Sequence, residues 1–263
     1  MTFDKVRIRF RKDGDLRLVS HHDLMRAFER MLRRAALPFR STEGFHPQPR
    51  VVFAQSLPLG VSGLNEVVEI EWTEPVEPEL ALARLAGQAL SGISFFSAKR
   101  IDLRQSARPR RAVYFFSPPP EFAGEVLADH CAAIMNSVEL WVDRERPRPR
   151  QVNIRPYIKN LHADARGLEI ELWITPDGSA RADEIIHALG LGPALEVGGV
   201  IERTYLELHD EVDPADAGPA PILPSRDQRG AYERPLNRPV ARPEKQPTHA
   251  AHWGASPSGP IVE

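Results

Sequence analysis

The order in which hydrophobic periods succeed one another most constrains what this chain can fold into. Val6, Ile8 and Phe10 alternate with Lys5, Arg7 and Arg9, the period of a strand with one apolar face. Asp13-Gly14 marks a turn. Ser20 then precedes a helical pattern through HDLMRAFERMLRRAAL, which stops at Pro38. Strand-like runs follow at 50–54 and 66–72, a helix fits 77–90, and 93–101 reads as another strand.

The second half repeats that order. Residues 112–116 are strand-like, 121–135 helix-like, 137–142 and 168–174 strand-like, 182–189 helix-like, and 200–208 alternate as a last strand. A β-α-β-β-α-β succession is the signature of a ferredoxin-like unit. The fold expected is therefore α+β, with two tandem ferredoxin-like (βαββαβ) units at 1–104 and 110–212. The Arg-Pro-rich stretch 143–167 must fit as an insertion between two strands. Proline, at 25 residues, exceeds glycine at 17, and ten of these prolines lie in 213–263. No apolar period survives there, so the segment cannot offset its ordering entropy and is expected to be a disordered tail. A passive tail is the expectation, with its Arg-Pro pairs as a partner site the alternative.

Composition excludes several functions. The net charge of −2 rules out a wholly basic nucleic-acid coat protein. The single cysteine, Cys131, rules out a disulfide framework, a four-cysteine zinc site and a cysteine-ligated iron–sulfur cluster within the chain. No apolar run approaches the roughly 18 residues needed to span a bilayer, and the N-terminus carries no apolar signal core. A soluble cytoplasmic protein is expected, with no resident cofactor or metal.

The charge balance is an average over unlike regions. Residues 1–50 hold twelve Lys/Arg against six Asp/Glu, a local excess of six positive charges. Projected as a helix, residues Leu24, Phe28, Met31, Leu32 and Ala35 form one stripe, while His22, Arg26, Arg30 and Arg33 form the opposite one. Segregated positive charge favours a phosphate-bearing partner, against the alternative of a solvated charged face. Ser20 and Asp23 fit a helix-capping box. The loop Ser41–Arg50 holds Gly44, Pro47 and Pro49, which stiffen it, and presents Phe45, His46 and Arg50. Aromatic, base and guanidinium together suit stacking on a nucleobase and holding a phosphate. The candidate anion- or RNA-binding set is Arg7, Arg9, His22, Arg26, Arg30, Arg33, Phe45, His46 and Arg50.

Other features read more plainly. Glu66, Glu69, Glu71 and Glu74 are expected mostly to face solvent. A second basic run, Arg144–Arg150 and then Arg155 and Lys159 around Tyr157, either extends the anion surface or is a soluble loop. Cys131 reads as a free buried thiol. His21 projects towards the apolar stripe; with His46 it is the candidate acid–base pair. Two histidines lack a third metal ligand at any evident spacing.

The runs RIRFRKDGDLRLVSHHDLMRAFERMLRRAALP, STEGFHPQPR and FAQSLPLGVSGLNE resemble an uncharacterised bacterial domain associated with radical S-adenosylmethionine (radical SAM) proteins. The resemblance covers about residues 5–210. Matching positions are Ser20, His21, Asp23, Arg26, Glu29, Arg30, Gly44, Phe45, Pro47, Pro49 and Arg50, and no catalytic role attaches to any of them. The resemblance implies a radical SAM protein as partner and a link to RNA metabolism. Where relatives resemble GF-N-P-H-P, this chain has GF-H-P-Q-P, moving the histidine from position 48 to 46. A general base needs its nitrogen within about 3 Å of the proton it takes, so the shift suits binding better than catalysis. Three functions remain open: an RNA- or tRNA-binding accessory module, a metal-independent RNA-processing or RNA-modifying subunit, and a structural adaptor.

Overall fold

The computed structural model describes residues 4–119, 122, 126–176, 178–212 and 233–235. The fold is mixed α+β, with one large mixed sheet and few helices. Its first half runs β1 (Asp4–Lys12), α1 (His21–Arg34), β2 (Val51–Phe53), β3 (Ser62–Trp72), α2 (Pro78–Ala86) and β4 (Ile93–Arg100). The strands lie in the order β4-β1-β3-β2, every pair antiparallel.

Alternation in β1 sends Val6, Ile8 and Phe10 to one face, where all three are buried. Leu24, Ala27, Phe28, Met31 and Leu32 of α1 cover that face, as the helical projection predicts, with Ala27 joining the stripe. Ser20 caps the helix: its hydroxyl oxygen accepts from the Asp23 N–H at 3.2 Å and its O–H donates to the Asp23 carboxylate at 2.7 Å. The first turn thus gains both a hydrogen bond and a negative charge at its positive end. Phe10, Phe28 and Phe53 meet edge-on, with centroids 5.0–5.8 Å apart.

The second half comprises β5 (Pro109–Phe116), α3 (Val126–Asn136), β6 (Trp141–Arg144), β7 (Arg150–Asn153), β8 (Ile158–Asp164), β9 (Gly167–Thr175), β10 (Gly178–Ser179), α4 (Ala182–Ala188), α5 (Gly192–Glu196) and β11 (Ile201–Leu208). In the large sheet β11, β5, β9 and β8 follow one another, again antiparallel. One sequence expectation fails here. The edge strand is β8, inside the expected insertion, and not 137–142. Of that run only Trp141 and Val142 are in a strand, and they pair with Asn153 and Val152 in a separate small sheet. Ile158 and Leu161 have the buried side chains that an edge strand on this core needs, an apolar pattern hidden by the Arg-Pro-rich surroundings.

The expected disordered tail, 213–263, lies outside the described residues except for β12 (Glu233–Pro235). This strand pairs antiparallel with β7 and completes the small sheet, so those three residues depart from the expectation.

The halves join through β3 and β11, which pair in parallel over only two positions, Ser62–Glu202 and Gly63–Arg203. Beside this junction the Arg203 guanidinium binds Glu66 through two contacts, one of them 2.7 Å from Nε, with both side chains almost wholly buried. Its remaining donors reach the Gln55 and Ser56 carbonyls at 3.3 and 3.4 Å. Gly63 leaves the space that Glu66 needs, because a Cβ there would stand 2.5 Å from the Glu66 Cγ.

Breaking a buried pair strands a charge, whereas replacing both partners by apolar groups need not. Arg203→Met should therefore cost about 3–5 kcal/mol in urea unfolding, and Arg203→Met with Glu66→Leu should recover much of that loss.

Candidate nucleic-acid interface

The proposed site residues separate onto two faces of the first half. Helix α1 turns His22, Arg26, Arg30 and Arg33 away from the core, and all four are exposed. The 41–50 loop folds back beside it. Thr42 and Gln48 close the loop: the Thr42 N–H donates to the Gln48 carbonyl at 2.8 Å, and the Gln48 N–H donates to the Thr42 hydroxyl at 3.0 Å. Gly44 sits at φ +133°, where a side chain would be strained. Phe45 is fully exposed, an arrangement that forgoes the burial an aromatic ring would otherwise gain.

Between helix and loop lies a cleft of about 250 Å³, lined by His22, Met25, Arg26 and Glu29 on one side and Gln48, Pro49 and Val51 on the other. Among the described contacts Arg26 has one, at 3.5 Å to Asp23, and both side chains are more than half exposed. Among the described contacts, none engages Arg30. Arg33 is paired with Glu29 at 2.8 Å and lies over the Phe39 ring. Arg50 is shared with Glu71 at 3.7 Å, a carboxylate that Arg40 approaches to 3.0 Å. His46 is exposed on the loop.

Arg7 and Arg9 do not join this site. Alternation places them on the opposite face of the sheet, against the second half. Arg7 is buried between Glu69 at 2.9 Å, Asp210 at 2.9 Å and Glu211 at 3.3 Å. Arg9 binds Glu211, Asn65 and the Leu206 carbonyl, and its guanidinium lies over Tyr205. Lys5 adds a 2.7 Å contact with Glu69. These cations serve the joint between halves. The same burial corrects the reading of the acidic strand: Glu66 and Glu69 are 3% and 1% exposed, held inside by their arginines. The local positive excess of the sequence is therefore partly neutralised by residues far along the chain.

The second basic run is also largely spent on structure. Arg144 makes a two-point contact with Glu184 at 2.7 and 2.9 Å, Arg155 donates to the Met135 and Ile158 carbonyls, and Lys159 binds Glu171 at 3.0 Å. Cys131 is buried as expected, and burial pushes its thiol pKa up, away from the reactive thiolate.

His21 packs edge-on against Phe53 at 5.3 Å. Burial, then the nearby His22 and Lys12, push its pKa below the usual imidazole range, so its neutral form is favoured. Lys12 is itself lowered by burial, in partial opposition to Glu66, and its Nζ donates to the Val19 carbonyl at 2.9 Å. No described contact joins His21 to His46. No group of three His, Cys, Asp or Glu suited to a metal occurs among the described residues. No helix among them is long and apolar enough to cross a membrane.

A second cleft, of about 650 Å³, opens where the halves meet. Pro58, Leu59 and Gly60 line one wall and Leu195 and Ile201 the other, with Tyr114 between them. The sequence around Leu57–Gly60 gives no sign of what faces it, because the opposing wall lies more than a hundred residues away in the chain.

The molecule is thus an α+β protein with a basic helix face beside an exposed aromatic ring, and a buried charged joint. A family model described as "Uncharacterized protein conserved in bacteria (DUF2344)" matches residues 5–183, and the chain belongs to that family. No curated protein matches it. Among solved structures, a chain of a Cbf5-Nop10-Gar1 complex aligns with 76% of this chain at 15% identity and a TM-score of 0.35. This chain covers about half of that one, 48%. An unknown protein from Galdieria sulphuraria aligns with 79% of this chain at 13% identity and a TM-score of 0.26, and 99% of it is covered. A putative chlorite dismutase aligns with 82% of this chain at 13% identity and a TM-score of 0.19, with 98% of it covered.

The joint should be acid-sensitive. Burial works against ionised Asp210 and Glu211, but Arg7 for the first, and Lys99 and Arg9 for the second, outweigh it and hold both carboxyls below their ordinary values. Their stabilisation is complete above the unfolded-state range of about 4 and is lost as pH falls through the folded values. His21, lowered in the folded chain, starts the decline as pH falls below its unfolded value near 6.5. Thermal unfolding across pH 7 to 3 should show a melting temperature that falls continuously, with His21→Phe removing the upper part of the decline.

Proposed function

We propose that the protein is a cytoplasmic RNA- or nucleotide-binding accessory module without a reaction of its own, acting beside a radical SAM protein. The observation that carries the binding reading is the outer face of α1. There Arg30 has no described partner and Arg26 only a loose one, next to the stiff loop that exposes Phe45 completely. Elsewhere most of the arginines singled out from sequence are consumed by carboxylates or carbonyls. Exposed guanidinium groups on one helix face, with an exposed ring on the neighbouring loop, suit a single-stranded nucleic acid, whose phosphates and bases need those two chemistries.

The radical SAM partner rests on the sequence resemblance and on the single cysteine. A radical SAM cluster needs three cysteines and these residues hold one, so the cluster would belong to the radical SAM partner. The architecture we infer is two ferredoxin-like units, 1–104 and 110–212, followed by a tail. The repeated strand order of the two halves, and the two hydrophobic clusters that follow them, support this division.

Electrophoretic mobility shifts with single-stranded RNA and tRNA at several salt concentrations test the binding. Arg26→Ala with Arg30→Ala should weaken binding at least tenfold and lower the salt slope by about two, one for each phosphate no longer neutralised. Phe45→Ala should cost about 1–3 kcal/mol of binding by loss of stacking. Affinity unchanged in both variants would overturn the reading.

A further inference from the structure

The segment that connects the two halves forms a second cationic cleft, separate from the α1 surface. Its backbone is fixed at several points. Buried Lys5 donates from Nζ to the Gln105 carbonyl at 2.6 Å. The Gln105 side-chain oxygen accepts from the Asp102 N–H at 3.0 Å, and the Asp102 carboxylate accepts from the Arg104 N–H at 2.7 Å. At the other end the His209 N–H donates to the Arg108 carbonyl at 2.9 Å. These bonds set Arg104, Ser106 and Arg108 of the connector beside His209, which follows β11. Together with Gln105 and Asp210 they line an open cleft of about 570 Å³.

The charge of this cleft is uncompensated. Among the described contacts none engages the guanidinium of Arg104 or Arg108. Their neighbours along the joint contrast with them. Arg110 and Arg111 share Glu207, Lys5 and Arg7 share Glu69, and Arg9 and Lys99 share Glu211. The one carboxylate lining the cleft, Asp210, is already bound to Arg7 at 2.9 Å. Two free guanidinium forks on a fixed frame, with a hydroxyl and an imidazole beside them, match the oxygens of a phosphate. The volume lies within the usual range for small-molecule sites and exceeds the needs of a bare ion.

We infer that this cleft binds a phosphate group. Arg104 and Arg108 hold the phosphate oxygens, and Ser106 and His209 supply further donors. The phosphate is either that of a small organic ligand or the terminal phosphate of an RNA strand. The site stands independently of the α1 surface, since the two share no residue.

Calorimetric titration of the full chain with pyrophosphate, ionic strength held constant with chloride, tests it. Saturable one-to-one binding is expected. It should weaken at least tenfold in Arg104→Ala with Arg108→Ala, weaken further in Arg104→Glu, and be unchanged in Arg26→Ala with Arg30→Ala. The altered side chains are exposed, and a melting curve like that of the parent confirms that each variant is folded. Absence of saturable binding to the parent, or equal binding by parent and double variant, would overturn the inference. Short RNAs with and without a 5′-phosphate identify the source. A 5′-phosphate preference lost in the Arg104/Arg108 variant supports an RNA end, and equal affinity beside retained pyrophosphate binding supports a free ligand. Loss of RNA binding in the Arg26/Arg30 variant alone concerns the α1 surface and leaves this cleft untouched.

Discussion

The structure depends on burying opposite charges where its two halves meet. Hydrogen-bonded pairing between β3 and β11 covers only two positions, a short seam for the two halves of one sheet. Arg203 with Glu66, and Lys5 and Arg7 with Glu69, Asp210 and Glu211, complete the joint. Buried ions are expensive to desolvate, so such a joint tolerates one arrangement in which every partner is present. Its contribution is as much to geometry as to stability: a displaced half would leave several charges stranded together.

That joint also decides where function can lie. A cation engaged by a buried carboxylate has no capacity left for a phosphate. Arg7 and Arg203 are committed in this way, and Arg9 and Arg144 are held by the partly buried Glu211 and Glu184, although by residue type all four are as suitable as any other. What that leaves includes the outer face of α1, the tip of the 41–50 loop, the connector between halves, and Arg146 and Arg148 of the second basic run. A small cleft lies between α1 and residues 48–51 at the end of that loop, and the connector borders the charged joint through Asp210.

Much of the fold was legible because it depends on short-range pattern. Val6, Ile8 and Phe10 alternate, the α1 stripe follows a helical period, and Ser20 caps the turn it precedes. Each of these is a local choice that agrees with the final packing. The edge strand β8 was missed because its two buried residues sit beside an Arg-Pro-rich run, while 137–142, apolar enough to attract attention, supplies only two strand residues to a side sheet. The basic face of α1 was legible for the same reason that its apolar face was. Glu66 and Glu69 were misread as solvent-facing, because alternation tells which face a residue occupies and not what covers that face.

The sequence by itself determined the element order of the first half, the apolar stripe of α1 and its cap, since each is set by residues within a few positions of one another. Only the tertiary structure decided which arginines stay free. That outcome turns on partners such as Glu211 for Arg9 and Glu66 for Arg203, separated by more than a hundred residues. An ion pair needs its charges within a few ångströms in space, and distance along the chain carries almost no information about that once the chain has folded.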